Sequence, residues 1–242
     1  MIFPAFVANL EDMYGSSSSS SGGPYQISDQ VVDIGFPQIM QLTWTPSPST
    51  MALFVSEPGS HTLYAVCMPR GWQGPTYLFP GSSIAGDPIS SGIRSNDGFI
   101  FQLPGIPSYN TPSSQVTMSY HRSRSNPRYS FSMSVEHGAS RRTESFEWRI
   151  SSEAQRSPYS MVWQLVSLGR TSRSSSTRSR SSEVVAMIHE DNTASGSASA
   201  QRSGGFQFLG RAATGSMGYH WTVTALMSSV AILQDTSREW HE

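Results

Sequence analysis

The chain has 242 residues, a formal net charge of −1 and a charged fraction of 14%. A chain of this length can bury one sizeable core, and all-β barrels and sandwiches commonly reach it as a single domain. The low net charge excludes recruitment of nucleic acid or an acidic membrane by global electrostatics, so such binding requires a local patch. We therefore expect no stable nucleic-acid binding.

The amino-terminal part of the chain is predicted to lie outside the folded domain. Residues 15–24 (GSSSSSSGGP) form a low-complexity Ser/Gly segment, and we predict a disordered Ser-rich segment over residues 1–35. Apolar residues near the start can still dock onto the domain. The first residues lack a basic n-region, so they make a poor secretory signal. We expect an intracellular, cytoplasmic protein, with peripheral membrane or nuclear placement left open.

The middle of the chain reads as short strands separated by turn signals. Period-two alternation of apolar and polar residues indicates half-buried strands, as in Tyr129, Phe131, Met133 and Val135. Cys67 lies in one of these apolar runs, and we expect a buried, inert thiol. Strands are predicted at 40–45, 51–55, 63–68, 76–79, 99–103, 116–120, 129–135, 146–150, 161–168, 184–188 and 206–209.

The last segment departs from this rhythm. Trp221 to Leu233 (WTVTALMSSVAIL) is uncharged and apolar, and as a helix it spans only about 20 Å, too short for a hydrocarbon core of about 30 Å. A helix without a charged face must be enclosed, so we predict a buried core helix and no transmembrane segment. Its β-branched residues leave a final strand as the alternative.

The order of four segments resembles a domain of unknown function from mushroom-forming fungi. These segments are the hairpin at 54–66, the strand Phe146-Glu147-Trp148-Arg149, the Glu183-Val184-Val185-Ala186 strand and the closing apolar segment from Thr222. That domain is associated with the superfamily of tubby C-terminal-like, LURP-one-related and phospholipid scramblase proteins. The resemblance covers roughly residues 40 to 240. It implies a closed antiparallel barrel threaded by an apolar helix.

The fold class we predict is mainly β. It is an antiparallel closed β-barrel of about eleven or twelve strands around a C-terminal apolar helix. One tubby-like barrel domain is expected over residues 36–242, with disordered insertions near 171–182 and 193–204. Closure into a barrel removes the exposed strand edges that an open sheet would present.

Basic residues around one predicted hairpin form the candidate binding site. A cluster of Arg can bind phosphates through bidentate hydrogen bonds, and the resemblance to tubby proteins implies phosphoinositide or other anionic lipid head groups as ligands. The alternative is that these are solvated turn residues, some of them paired with Glu136, Glu144 or Glu147. The candidate anion- and lipid-binding residues are Arg122, Arg124, Arg128, Arg141 and Arg142, with His121 beside them.

Two further motifs have ordinary explanations. The Arg/Ser tract at 170–182 (RTSRSSSTRSRSS) could bind partners or be phosphorylated, or it could be only a loop. His189-Glu190-Asp191 follows a predicted strand and reads as a turn, because metal or acid/base chemistry needs convergent partners.

The sequence contains no motif of a known catalytic constellation, so we name no catalytic residue, no metal ligand and no cofactor. We expect a non-enzymatic binding module, with anionic lipid head groups or proteins as partners. The alternative is a structural or interaction protein whose Ser/Arg-rich tracts bind partners or are phosphorylated.

Overall fold

The fold is a closed barrel of antiparallel strands with a helix inside it. The computed structural model describes residues 26–46, 51–84, 86–121, 123, 126–137, 140–151, 160–169, 182–191 and 203–238. Over these residues each strand pairs with the next and the last pairs with the first, which confirms the predicted fold class. The twelve strands are β1 (Ile39–Pro46), β2 (Met51–Ser56), β3 (Thr62–Met68), β4 (Thr76–Pro80), β5 (Ser90–Ser95), β6 (Gly98–Leu103), β7 (Ser114–His121), β8 (Arg128–His137), β9 (Ser140–Ile150), β10 (Ser160–Ser167), β11 (Glu183–Asp191) and β12 (Ser203–Phe208).

Alternating side chains point into the barrel and away from it, as the period-two pattern predicts. On β8, Tyr129, Phe131, Met133 and Val135 are all buried. The serines between them are half-buried or exposed. One face of each strand thus supplies the core.

β5 is the strand that the sequence pattern missed. Its residues Ser90, Ser91 and Gly92 are buried but small, so they give no apolar alternation. A Cβ on Gly92 would lie 3.1 Å from the Phe101 ring and 3.5 Å from Cε of Met227 on the central helix. Small residues are needed here because the helix passes close to the wall.

The terminal apolar segment is a helix, α2 (Tyr219–Arg238), so the strand alternative is wrong. Every residue from Val223 to Gln234 is at most 3% exposed, which requires enclosure on all sides. Side-chain hydrogen bonds join the buried part of the helix to the wall: Trp148 Nε1 donates to Ser228 Oγ at 2.9 Å, and Thr76 Oγ1 donates to Gln234 Oε1 at 3.1 Å. None of the helices within the described ranges is both long and apolar enough to span a bilayer.

A short helix precedes the barrel. α1 (Asp29–Ile34) lies within the segment expected to be disordered, yet Val31 and Val32 pack against the core, and the Ile27 N–H donates to the Gly105 carbonyl at 3.1 Å. Apolar contact of these residues with the barrel accounts for the order. The predicted insertion at 193–204 also overlaps the start of β12.

The helix distinguishes the two ends of the barrel. At one end, the N-mouth, a 3-10 helix (Gly210–Thr214) leads into α2, and the backbone N–H of Glu136 donates to the Met217 carbonyl at 3.3 Å. At the other end, the C-mouth, Gln234 Nε2 donates to the Gly74 carbonyl at 3.1 Å. The end of β8 at Glu136 and the start of β9 at Arg141, which are paired, therefore lie at the N-mouth.

Candidate functional site

A cleft of about 600 Å³ opens at the N-mouth. Its walls come from four parts of the chain: α1 with the residues after it, the β6–β7 connection, the adjoining ends of β8 and β9, and the residues that enter α2. This volume is typical of small-molecule pockets, which span about 300 to 1,000 Å³. We call it the mouth cleft.

Arg141 brings a positive charge to the wall of the mouth cleft. It lies directly opposite Glu136 in the β8–β9 pair, and each of these side chains is 51% exposed. Arg141 Nη2 lies 3.6 Å from Glu136 Oε1 and donates to Thr111 Oγ1 at 3.0 Å. A guanidinium has five N–H donors, and neither contact uses Nε or Nη1. Arg141 can therefore donate to a ligand without losing these two contacts.

The start of α2 forms the floor beside this pair. The Thr222 N–H donates to the Gly218 carbonyl at 3.2 Å, and Gly218 has a φ of +85°. The first N–H groups of a helix have no acceptor within it and carry partial positive charge. A Cβ on Gly218 would lie 2.9 Å from Cδ of Glu136, so the Glu136 carboxylate rests against the entrance to α2.

Aromatic rings form the apolar part of the wall. Phe36 stacks on Tyr64 with ring centroids 4.3 Å apart and lies 5.7 Å from the Tyr219 ring. Burial raises the pKa of Tyr219, so its hydroxyl stays protonated. The Tyr219 hydroxyl and Trp221 Nε1 are buried and have no hydrogen-bond partner among the described residues. The wall thus combines apolar surface with unused hydrogen-bonding capacity.

His220 also lines the cleft, and its tautomer is fixed. Nε2 lies 2.7 Å from the Pro104 carbonyl, which can only accept, so Nε2 carries the proton. Nδ1 then accepts from Ser114 Oγ at 3.4 Å. Burial lowers the pKa of His220 and Arg141 adds to this, against the opposing effects of the Pro104 carbonyl and Glu136. His220 is therefore neutral at pH 7 and adds no charge to the cleft.

A buried charge network holds the segment that precedes α2. Glu144 on β9 is fully buried and accepts hydrogen bonds from Arg142 Nε at 2.5 Å, Arg211 Nη1 at 2.9 Å and Ser167 Oγ at 3.2 Å. Arg211 Nε lies 3.2 Å from Glu183 Oε2. Burial opposes ionisation of Glu144, but the arginines outweigh it and lower its pKa to about 2. The network fixes the position at which α2 enters the barrel.

The structure separates the predicted basic residues. Arg128 lies at the far end of β8 from Arg141. It is eight residues along the strand from Glu136, the residue opposite Arg141, which corresponds to roughly 25 Å. Arg128 Nη1 lies 3.4 Å from Glu147 Oε1, whereas Arg142 faces the barrel interior opposite Val135. The pairing that the alternative interpretation expected is present for Arg128, Arg141 and Arg142, whose partners are Glu147, Glu136 and Glu144.

Other predicted features fall elsewhere. Arg122, Arg124 and most of the Arg/Ser tract at 170–182 lie outside the described residues. His189-Glu190-Asp191 belongs to β11 rather than to a turn. Within the described ranges, no group of three His, Cys, Asp or Glu residues is arranged to hold a metal ion.

A second concavity, of about 340 Å³, lies at the C-mouth. Arg94 pairs there with Asp235, which also accepts from the Tyr129 hydroxyl at 2.6 Å, and Asp97 adds a second carboxylate to the lining. The Arg94 guanidinium lies 5.4 Å from the centre of the Phe99 ring. The larger and partly apolar mouth cleft is therefore the better candidate.

Comparison of the chain with protein-family models, with curated proteins and with solved structures found no match. The resemblance to the tubby C-terminal-like, LURP-one-related and scramblase superfamily therefore stays a prediction.

Sequence reasoning selected Arg141 but missed the residues around it. Tyr219 and His220 directly precede the predicted helix, and extending that helix back to the glycine at position 218 would have placed them in its first turn. Thr111 gave no local signal, because only the closure of the barrel brings the β6–β7 connection to Arg141.

Proposed function

We propose that this chain is a non-enzymatic binding module whose mouth cleft holds an amphiphile with a singly charged anionic head group, such as a phosphodiester or a carboxylate. One observation carries the proposal: the half-exposed Arg141 lines a cleft that also contains the start of α2 and a wall of aromatic rings. Such sites combine apolar walls with a few well-placed polar groups.

The anionic group would lie between Arg141 and the first turn of α2. A guanidinium donates bidentate, charge-assisted hydrogen bonds to a phosphate or a carboxylate, and Nε and Nη1 of Arg141 are available for them. The first N–H groups of α2 add a favourable partial charge, worth about 0.3 to 1 kcal/mol where exposed. Together these groups select an anion at one end of the cleft.

The rest of the ligand would be apolar. Val32 and Phe36 line the cleft and are half-buried, and Tyr109 beside them is 55% exposed; burying this apolar surface against a ligand contributes about 25 cal/mol per Å². An ion without an apolar part would leave this wall in contact with water. The lining therefore favours an amphiphile over a free inorganic anion.

The charge available favours a single negative charge on the ligand. Among the described residues that line the cleft, Arg141 supplies the guanidinium, while Glu136 supplies a carboxylate. Arg128 and Arg142 already contact Glu147 and Glu144. A phosphoinositide with several phosphates, which the family resemblance implies, would be less well matched to this cleft than a phosphodiester.

Calorimetric titration with dihexanoyl phosphatidylglycerol, below its critical micelle concentration, tests the proposal. We expect binding by the wild-type chain, a loss of about tenfold in Arg141→Gln, and no change in Arg128→Gln, which removes an arginine at the other end of β8. Uncharged dihexanoylglycerol should bind more weakly. Equal binding by both variants, or tighter binding of a phosphoinositide that depends on Arg128, would overturn the mouth cleft as the site.

The contact of Ser114 with His220 is the arrangement that most resembles a catalytic pair. Its Oγ to Nδ1 distance of 3.4 Å lies beyond the usual reach of a general base, about 2.6 to 3.2 Å. We therefore assign the pair a positioning role at the rim of the cleft. Ester hydrolysis that is lost in Ser114→Ala would contradict the non-enzymatic proposal.

A further inference from the structure

We propose that the ligand of the mouth cleft is a zwitterion, whose anionic group contacts Arg141 and whose ammonium group contacts Glu136. The inference rests on the proposed function and narrows its ligand class. It follows from the way in which these two side chains are paired and from their position at the start of α2.

The pair between Glu136 and Arg141 is loose. The distance from Arg141 Nη2 to Glu136 Oε1 is 3.6 Å, longer than the roughly 2.7 to 2.9 Å of a good charge-assisted hydrogen bond. Each of the two side chains is half exposed. An exposed ion pair of this kind is worth about 0 to 1 kcal/mol. A ligand that inserts one charge beside each partner therefore displaces little stabilisation.

Both charges face the same ligand space. Glu136 and Arg141 are directly opposite each other on neighbouring strands, and both line the cleft. Directly opposed residues in an antiparallel pair have Cβ atoms about 4.5 to 5.5 Å apart. The charged atoms themselves, Arg141 Nη2 and Glu136 Oε1, lie 3.6 Å apart, so the anionic and ammonium groups of a small zwitterion, separated by a few bonds, can contact both side chains at once.

Glu136 also penalises a ligand that carries only negative charge. Its carboxylate rests against Gly218, beside the helix end that would otherwise favour an anion. An anion bound there by Arg141 lies near this carboxylate and is repelled by it. An ammonium on the same ligand converts that repulsion into attraction.

The remaining groups in the lining do not change this balance. His220 is neutral, because burial lowers its pKa, and the Tyr219 hydroxyl stays protonated. Arg141 and Glu136 therefore give the described lining a formal charge of zero. A net-neutral ligand with separated charges is its electrostatic complement.

The test compares two lipids that share a phosphodiester and acyl chains but differ in the ammonium: dihexanoyl phosphatidylethanolamine and dihexanoyl phosphatidylglycerol. We expect the wild-type chain to bind the ethanolamine lipid about tenfold more tightly. Glu136→Gln should weaken binding of the ethanolamine lipid and strengthen binding of the glycerol lipid, so the order of the two affinities should reverse. Glu57→Gln, in the exposed β2–β3 turn, is the matched control and should leave the ratio unchanged.

Two failures can be told apart. Arg141-dependent binding of the glycerol lipid that equals or exceeds binding of the ethanolamine lipid would overturn the zwitterion and leave the proposed function standing. An unchanged ratio in Glu136→Gln would also overturn it. Binding of neither lipid would overturn both proposals.

A third probe identifies the source of the zwitterion. Glycerophosphoethanolamine has the same head group without acyl chains. Binding of this probe within about threefold of the lipid would support a free small zwitterion in the mouth cleft and would overturn the amphiphile of the proposed function. If this probe binds more weakly than the dihexanoyl lipid, the acyl chains contribute to affinity through the apolar wall, which would support a phospholipid as the ligand.

Discussion

Arg211 donates hydrogen bonds from both of its Nη atoms to the two carboxylate oxygens of Glu144. This bidentate pair joins the 3-10 helix that precedes α2 to the inner face of β9. Because Glu144 is fully buried, its charge depends on the arginines around it for stabilisation. The pair therefore links the stability of the barrel to the placement of its central helix.

Replacing Glu144 should destabilise the fold. Glu144→Ala leaves Arg211 and Arg142 without their shared carboxylate, and breaking a buried pair by removing one partner costs about 3 to 5 kcal/mol. Both arginines retain some solvent contact, so we expect about 3 kcal/mol, measured by urea unfolding. Glu57→Gln, in an exposed turn, should change the free energy of unfolding little. Equal stability of the two variants would contradict the assigned role of the network.

The same carboxylate should make the fold sensitive to acid. The pKa of Glu144 falls from 4.5 to about 2 on folding, so its ionised form stabilises the folded state. This contribution, on the order of 3 kcal/mol, is complete above the unfolded pKa and is lost as the pH falls from 4.5 towards 2. The difference in unfolding free energy between wild type and Glu144→Gln should therefore shrink between about pH 6 and about pH 3. A difference that is independent of pH would contradict this.

The hydrogen bond from the barrel wall to α2 can be tested with two adjacent serines. Ser228→Ala removes the acceptor of Trp148 Nε1, and leaving a buried donor unpaired costs about 1 to 3 kcal/mol. Ser229 is equally buried, but its hydroxyl donates only to the Leu226 carbonyl of the same helix. Ser229→Ala is therefore the matched control and should cost much less. Similar losses of stability in the two variants, measured by thermal unfolding, would mean that the hydrogen bond from Trp148 contributes nothing to the stability of the fold.

The sequence predicted the elements whose signals are local. Strands such as β8 combine large apolar residues with strict alternation, and the charge-free segment from Trp221 could be satisfied only by enclosure. β5 has buried serines and a glycine, and packing against the neighbouring helix, rather than strand propensity, requires these small residues. Its burial follows from tertiary contact, so no local pattern could reveal it.

The candidate site was predictable only in part. Arg141 stood out as a basic residue near a hairpin end, and its pairing with Glu136 follows from the hairpin register. The contributions of Thr111 and His220 come from chain segments far apart in sequence, which meet only when the barrel closes. Local sequence patterns contain no information on contacts between segments that are distant in sequence.

The single cysteine should be unreactive in the folded chain. Cys67 is completely buried, and burial raises its pKa to about 11, so the nucleophilic thiolate is scarce near neutral pH. Cys67 packs with Phe79 apart from the main core, and we expect Ellman's reagent to modify it slowly under native conditions and rapidly in denaturant. Rapid modification under native conditions would show that the β3–β4 wall opens locally.

Gly92 should be limited to very small side chains because α2 passes directly inside it. A Cβ would lie 3.1 Å from the Phe101 ring, and the further methyl groups of valine would crowd Met227. Gly92→Val should therefore cost about 1 to 3 kcal/mol through overpacking.

Met227→Ala creates a cavity and is also destabilising by itself, at about 2 to 5 kcal/mol. In the double variant the valine fills part of that cavity, so the combined loss should be smaller than the sum of the two single losses. Urea unfolding of the four proteins measures this coupling, and strict additivity would show that Gly92 and the central helix do not share the space assigned to them.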